Sequence, residues 1–144
     1  MNKFLSIKEI MTANPTFVNT NTNISEMIDK MEKFGFDHFP VVDDSLHLKG
    51  IVTKTDLYEK VLSLSRSTSG RTYSEKQINN TLASDVMTAD PTSIDINEHL
   101  EAVLELFYKE DFHALPVLEN KRLVGIITCK DVLGAINDMQ FSRA

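Results

Sequence analysis

Two blocks of the chain, Gly50-Ile51-Val52-Thr53-Lys54-Thr55-Asp56 and Gly125-Ile126-Ile127-Thr128-Cys129-Lys130-Asp131, share the pattern Gly-Ile-x-Thr-x-x-Asp. A Thr three residues ahead of an acid fits the start of a helix. The hydroxyl accepts from the N–H of the acid, and the carboxylate reaches back to the N–H of the threonine. Aspartate stands here where glutamate is usual, and its charge suits the positive end of the helix dipole. The same arrangement can hold a ligand. Free N–H groups at a helix N-terminus favour a phosphate, and the hydroxyls of Thr53 and Thr128 add donors. The carboxylates of Asp56 and Asp131 can each accept two hydrogen bonds, which matches the paired hydroxyls of a ribose. Each such charge-assisted bond is worth roughly 1.5–3 kcal/mol. A cap alone, or a cap that also holds a ligand, are both open on these residues.

Other chemistry is poorly provided for. His38, His47, His99 and His113 have no metal-ligand spacing, and His38 and His113 stand at non-equivalent distances before Pro40 and Pro116. Cys129 is the sole cysteine, with no base beside it in sequence, and reads as a small residue. There is no P-loop, Gly-x-Gly-x-x-Gly run or nucleophile elbow among five glycines. No acid–base pair or activated nucleophile stands out, so neither catalysis nor a metal is expected.

Elements that would carry the two blocks come from a duplication. Ile10-Met11-Thr12-Ala13-Asn14-Pro15-Thr16 recurs as Val86-Met87-Thr88-Ala89-Asp90-Pro91-Thr92, 76 residues on. Phe39-Pro40-Val41-Val42 recurs at the same offset as Leu115-Pro116-Val117-Leu118. The Gly-Ile blocks are offset by 75, so one residue is lost between Asp43-Asp44-Ser45-Leu46-His47 and Glu119-Asn120-Lys121-Arg122. A turn is the place for that, because a slip inside a strand turns every side chain to the other face. Each copy reads as β-α-β-β-α. Thr16-Phe17-Val18 and Thr92-Ser93-Ile94 are short extended pieces. Ile24, Met27, Ile28, Met31 and Phe34 form a helical stripe, as do Leu100, Val103, Leu104 and Phe107, with Asn21 and Asn97 as N-caps. The hairpin arms are Phe39–Val42 with Leu48–Thr53, and Leu115–Leu118 with Leu123–Thr128. Second helices carry Leu57, Val61, Leu62 and Leu64, and Val132, Leu133, Ile136 and Met139. Methionines in these stripes read as core filler.

The 144 residues therefore spell an α+β or α/β fold of two repeats, 1–65 and 82–144, joined by a Ser-rich linker or mobile loop over 66–81. One repeat alone buries too little surface for comfort, so the copies are expected to share one domain. Fifteen basic and 21 acidic residues give a net charge of −6, which disfavours nucleic acid polymers and anionic lipid. Positive charge gathers only at Lys60, Arg66, Arg71 and Lys76. No apolar run is long enough to span a membrane. Met1 to Ser6 lacks the apolar core of a secretion signal, so the expected location is the cytoplasm.

On these repeated motifs the chain resembles a tandem pair of CBS (cystathionine β-synthase) domains, a Bateman module, from about residue 5 to residue 138. The resemblance implies two repeats related by a pseudo-twofold axis, with two clefts between them. In many members of that family such clefts take adenosine-containing ligands: AMP, ADP, ATP, S-adenosylmethionine, NAD or a cyclic dinucleotide. Carried over, Asp56 and Asp131 would hold ribose hydroxyls, and Thr53 and Thr128 would meet ribose or phosphate. Phe17, Val18, Ser93 and Ile94 would border the base. His38, Phe39, Ala114 and Leu115 would form another wall. The family often places a basic residue just before the aspartate. Lys130 keeps it, whereas the first copy has Thr55 there and Lys54 one position earlier. Ala114 against His38 implies that the two clefts differ in shape.

The expected function is a stand-alone regulatory module. It would bind an adenine nucleotide of the AMP, ADP or ATP class, form a homodimer through exposed helix faces, and signal to an effector protein. The rival is a ligand-free dimeric interaction scaffold in which the Thr-x-x-Asp pairs only cap helices.

Overall fold

The computed structural model describes residues 5–67, 71–110 and 112–141. In chain order the elements are α1 (Ile7–Ile10), β1 (Thr12–Ala13), β2 (Val18–Asn19), α2 (Ile24–Phe34), β3 (His38–Val42), β4 (Leu48–Thr53), α3 (Lys54–Ser67) and α4 (Arg71–Asn80). There follow α5 (Ala83–Val86), β5 (Thr88–Ala89), β6 (Ile94–Asp95), α6 (Leu100–Lys109), β7 (Ala114–Glu119), β8 (Arg122–Thr128) and α7 (Cys129–Phe141). They form two compact units. One is the continuous stretch 16–91, and the other joins residues 1–15 to residues 92–144.

The units are therefore shifted against the sequence repeats. The sheet of the 16–91 unit has the order β2-β3-β4-β5, and that of the other unit β1-β8-β7-β6. Each is a hairpin, β3–β4 or β7–β8, with a short parallel strand on one side and a short antiparallel strand on the other. The antiparallel strand comes from the opposite sequence copy. Thr12 pairs with Ile126, and Thr88 with Ile51. This pairing puts two of the repeated motifs in contact. Gly50 and Gly125 are buried in β4 and β8, and the methionine of each Met-Thr-Ala motif lies over one of them: Met87 on Gly50, Met11 on Gly125. Glycine is needed there because the neighbouring strand leaves no room for a Cβ. Asn14 and Asp90, which end those motifs, take φ of 50° and 48°. Asn and Asp are the non-glycine residues that best tolerate that region.

Each unit has its own core. Ile24, Met27 and Met31 of α2 lie over Phe39, Val41 and Val52 in one, and Val103 of α6 lies over Leu115, Val117 and Ile127 in the other. Of the stripes expected on α2 and α6, two residues face outward: Phe34 is 62% exposed and Leu104 38%. Phe34 is the last residue of α2, ahead of the left-handed Gly35 cap, and its ring packs on Phe36 with centroids 5.7 Å apart. The caps fall two residues later than expected. Asn23 Oδ1 accepts the Glu26 N–H at 2.9 Å, and His99 occupies the α6 position without a side-chain bond. The turns before the helices shift both starts. Thr22 Oγ1 takes the Asn19 N–H at 3.0 Å, and Asp95 Oδ1 takes the Asn97 N–H at 2.8 Å.

The Ser-rich stretch is another difference. Of its residues, 66–67 continue α3 and 71–80 form α4, so these described parts are helical where a linker or mobile loop was expected. Ile78 anchors α4 on the core of the 16–91 unit. Residues 68–70 and the Met139 side chain lie outside the described residues.

The length change between copies falls in the hairpin turns, as expected. The first turn is long and organised by Asp43, whose Oδ1 accepts the Ser45 N–H at 2.9 Å and the His47 N–H at 3.0 Å. The His47 N–H above all holds the Asp43 carboxyl below the ordinary carboxylate range. The second turn is two residues, Asn120 (φ 52°) and Lys121 (φ 69°), both left-handed as a type I′ turn requires. Lysine has a Cβ that this region disfavours. Lys121→Gly is expected to stabilise the protein by about 0.5–1 kcal/mol, read as a higher urea midpoint with an unchanged slope. A midpoint at or below the wild-type value would contradict the turn assignment.

Candidate functional site

The two Thr-x-x-Asp pairs sit where β4 runs into α3 and where β8 runs into α7. Both form the reciprocal cap. Asp56 Oδ2 accepts the Thr53 N–H at 2.8 Å while Thr53 Oγ1 accepts the Asp56 N–H at 3.2 Å. The corresponding distances for Asp131 and Thr128 are 2.9 Å and 3.1 Å. Each pair keeps something in reserve. The threonine oxygens act as acceptors, so their O–H protons can still be donated. Oδ1 of neither aspartate makes a hydrogen bond among the described residues. The segment ahead of each proline is tied to the same helix start, because Lys54 N–H donates to Asp37 O (2.9 Å) and Cys129 N–H to His113 O (3.1 Å).

A cavity opens beside each cap, and each is built within one unit. The one at Asp131 has a volume of about 720 Å³ and is lined also by Leu5, Glu9, Ile10, Lys130, Gly134, Ala135 and Asp138. The one at Asp56 measures about 230 Å³ and is lined by Glu59, Lys60, Ser63, Asp85 and Val86. Asp85 Oδ2 is engaged as the N-terminal acceptor of α5, taking the Leu82 N–H at 2.8 Å. Lys130 is exposed at the larger cavity. Lys54 points elsewhere, with its ammonium 5.9 Å from the centre of the Tyr58 ring.

The remaining expected site residues divide by burial. Val18, Phe39, Ile94, Ala114 and Leu115 are buried, and the first three and Leu115 belong to the two cores. Their side chains hold the sheets together and line neither cavity. Phe17 is 41% exposed, and Ser93 and His38 are half-buried; none of them lines the two cavities. Glu9, Gly134, Ala135, Lys60 and Asp85 were missed by motif reading, since they belong to no repeated block. Aligning the copies through α3 and α7 would have placed Gly134-Ala135 opposite Glu59-Lys60. Among the described residues, no group of three or more His, Cys, Asp or Glu is placed to hold a metal ion. Nor is any described helix long and apolar enough to cross a membrane.

Residues 7–63 and residues 83–138 each match the CBS domain family. The chain belongs to that family. This CBS pair is 32% identical over 127 residues to the uncharacterized protein YlbB of Bacillus subtilis (strain 168), covering 88% of this chain and 78% of YlbB. The crystal structure of CBSX2 in complex with AMP superposes on it with a TM-score of 0.77 and 27% identity, over 96% of this chain and 99% of CBSX2. A structure of the CBS-pair protein CBSX2 from Arabidopsis thaliana gives 0.79 at 22% identity, over 99% and 100% of the two chains. The two-repeat α+β architecture is thus that of a CBS pair.

Proposed function

We propose that this CBS pair is a non-catalytic regulatory module that binds an adenosine-containing nucleotide and reports its presence to an effector protein. One observation carries the reading. Asp131 presents an uncommitted carboxylate oxygen, with Lys130 beside it, to a cavity of about 720 Å³, and ligand pockets typically run to roughly 300–1,000 Å³. The carboxylate would accept the ribose hydroxyls, and Thr128 O–H with Lys130 would meet phosphate. AMP in the CBSX2 structure supports the choice of ligand class. A ligand that prefers one arrangement of the protein shifts the population toward it, and the effector senses that shift. Tyr58, Leu62, Leu133 and Ile136 leave apolar surface exposed on α3 and α7, which suits a homodimer in the cytoplasm.

The scaffold reading draws on a specific observation too, since both Thr-x-x-Asp pairs do complete their caps. Thermal unfolding with AMP, ADP, ATP and S-adenosylmethionine separates the two. A ligand at 100 times its dissociation constant is expected to add about 2.7 kcal/mol. No shift with any compound, and no calorimetric heat, would leave the scaffold.

A further inference from the structure

We infer that the chain carries one nucleotide site, at Asp131, and that Gly134 and Ala135 of α7 are what opens it. The inference rests on the proposed reading of the capping carboxylates as ribose acceptors. The two cavities are built from equivalent positions. Asp131, Gly134 and Ala135 lie 75 residues beyond Asp56, Glu59 and Lys60, while Asp85 and Val86 lie 76 beyond Glu9 and Ile10. The caps that orient the two aspartates are the same to within about 0.1 Å. The cavities differ in space, about 720 Å³ against about 230 Å³, and at matched positions they differ in the size of the side chains that line them.

Gly134 contributes no side chain, and a Cβ built there would meet nothing within 4 Å. The adjoining Ala135 contributes a single methyl. At the equivalent positions Glu59 and the half-buried Lys60 project two long chains into the smaller cavity. That leaves less than the roughly 300 Å³ at which small-molecule pockets begin. The cations are placed differently. Lys130 stands beside Asp131 at the larger cavity, whereas its counterpart is the neutral Thr55, Lys54 is drawn over Tyr58, and the cation of the smaller cavity is Lys60. Asp56 keeps its role as a helix cap and is closed to ligand.

Titration calorimetry of the whole chain with AMP tests this. One AMP per chain is expected. Asp131→Asn weakens binding at least tenfold, and Asp56→Asn leaves it unchanged. The double variant Gly134→Glu/Ala135→Lys, which copies the other helix, abolishes the heat. It also melts no lower than wild type, because an exposed helical glycine has been replaced by a better helix former. Two AMP per wild-type chain, one of them lost in Asp56→Asn, would overturn the single site and leave the nucleotide reading intact. Unchanged affinity in the double variant would overturn the role of Gly134 and Ala135. A wild-type chain that binds neither AMP nor the other adenosine compounds would remove the reading and the inference with it.

Discussion

Gly50→Ala is expected to destabilise the chain by about 1–3 kcal/mol, and Gly125→Ala by less. The penalty is overpacking. A Cβ at position 50 would run into Met87 Sδ and stand 2.8 Å from its Cγ and 2.9 Å from the Thr88 carbonyl oxygen. The methionine can swing aside. The carbonyl belongs to β5, and moving it strains the pairing of Thr88 with Ile51. At position 125 the Met11 Sδ contact is equally close, but Cγ and the Thr12 oxygen both stand at 3.1 Å, so a smaller movement suffices. Reduced freedom of the unfolded chain returns roughly 0.4–1 kcal/mol in either case. Urea unfolding of the two variants gives the order directly. Adding Met87→Ala to Gly50→Ala should recover part of the loss, a coupling absent between Met87→Ala and Gly125→Ala. Equal stability of Gly50→Ala and wild type would mean that the two motifs do not meet as described.

The second large effect is on binding. Asp131→Asn should weaken nucleotide affinity tenfold or more while leaving the fold nearly unchanged. Asparagine retains one carbonyl oxygen for the Thr128 N–H, so the cap survives. The group that replaces the other oxygen is a donor, and it cannot accept from a ribose hydroxyl. Losing one charge-assisted bond of about 1.5–3 kcal/mol corresponds to roughly 10- to 150-fold in affinity. Loss of the charge at the helix start costs about 0.3–1 kcal/mol of stability. Asp131→Ala removes acceptor and cap together and should lower both affinity and melting temperature. Full affinity in Asp131→Asn, measured by calorimetry, would reduce this residue to a cap.

Much of this architecture was readable because repetition did the work of an alignment. Three blocks in one order fixed the copies against each other, and the lost residue pointed to the turn that contains Asn120 and Lys121. The hairpin arms were legible since β-branched and apolar residues run through them. Strand exchange was not. Thr12-Ala13 and Thr88-Ala89 are the same dipeptide, so nothing local says which sheet each joins, and only the sterics of Met11 over Gly125 and Met87 over Gly50 reveal it. Composition misled at 66–67 and 71–80, within the stretch expected to be a Ser-rich linker or mobile loop. Helical continuity from α3, and the anchoring of Ile78 on the core, override that weak local preference. At the site, the motif located the carboxylates but not the room beside them. Room depends on small residues such as Gly134, which carry no chemical signature.

The division at residues 15/16 and 91/92 sets an order of assembly as the chain is made. The middle stretch is continuous and can close on itself once residue 91 has emerged. The first fifteen residues must wait for β8, an interval on the order of ten seconds at ordinary ribosomal speed. Throughout the early part of that wait the edge of β4 is open, and the only finished Met-Thr-Ala segment is Met11 to Ala13. The nascent polypeptide thus meets a decoy strand before the true one, and the correct exchange is completed only after translation has passed residue 128.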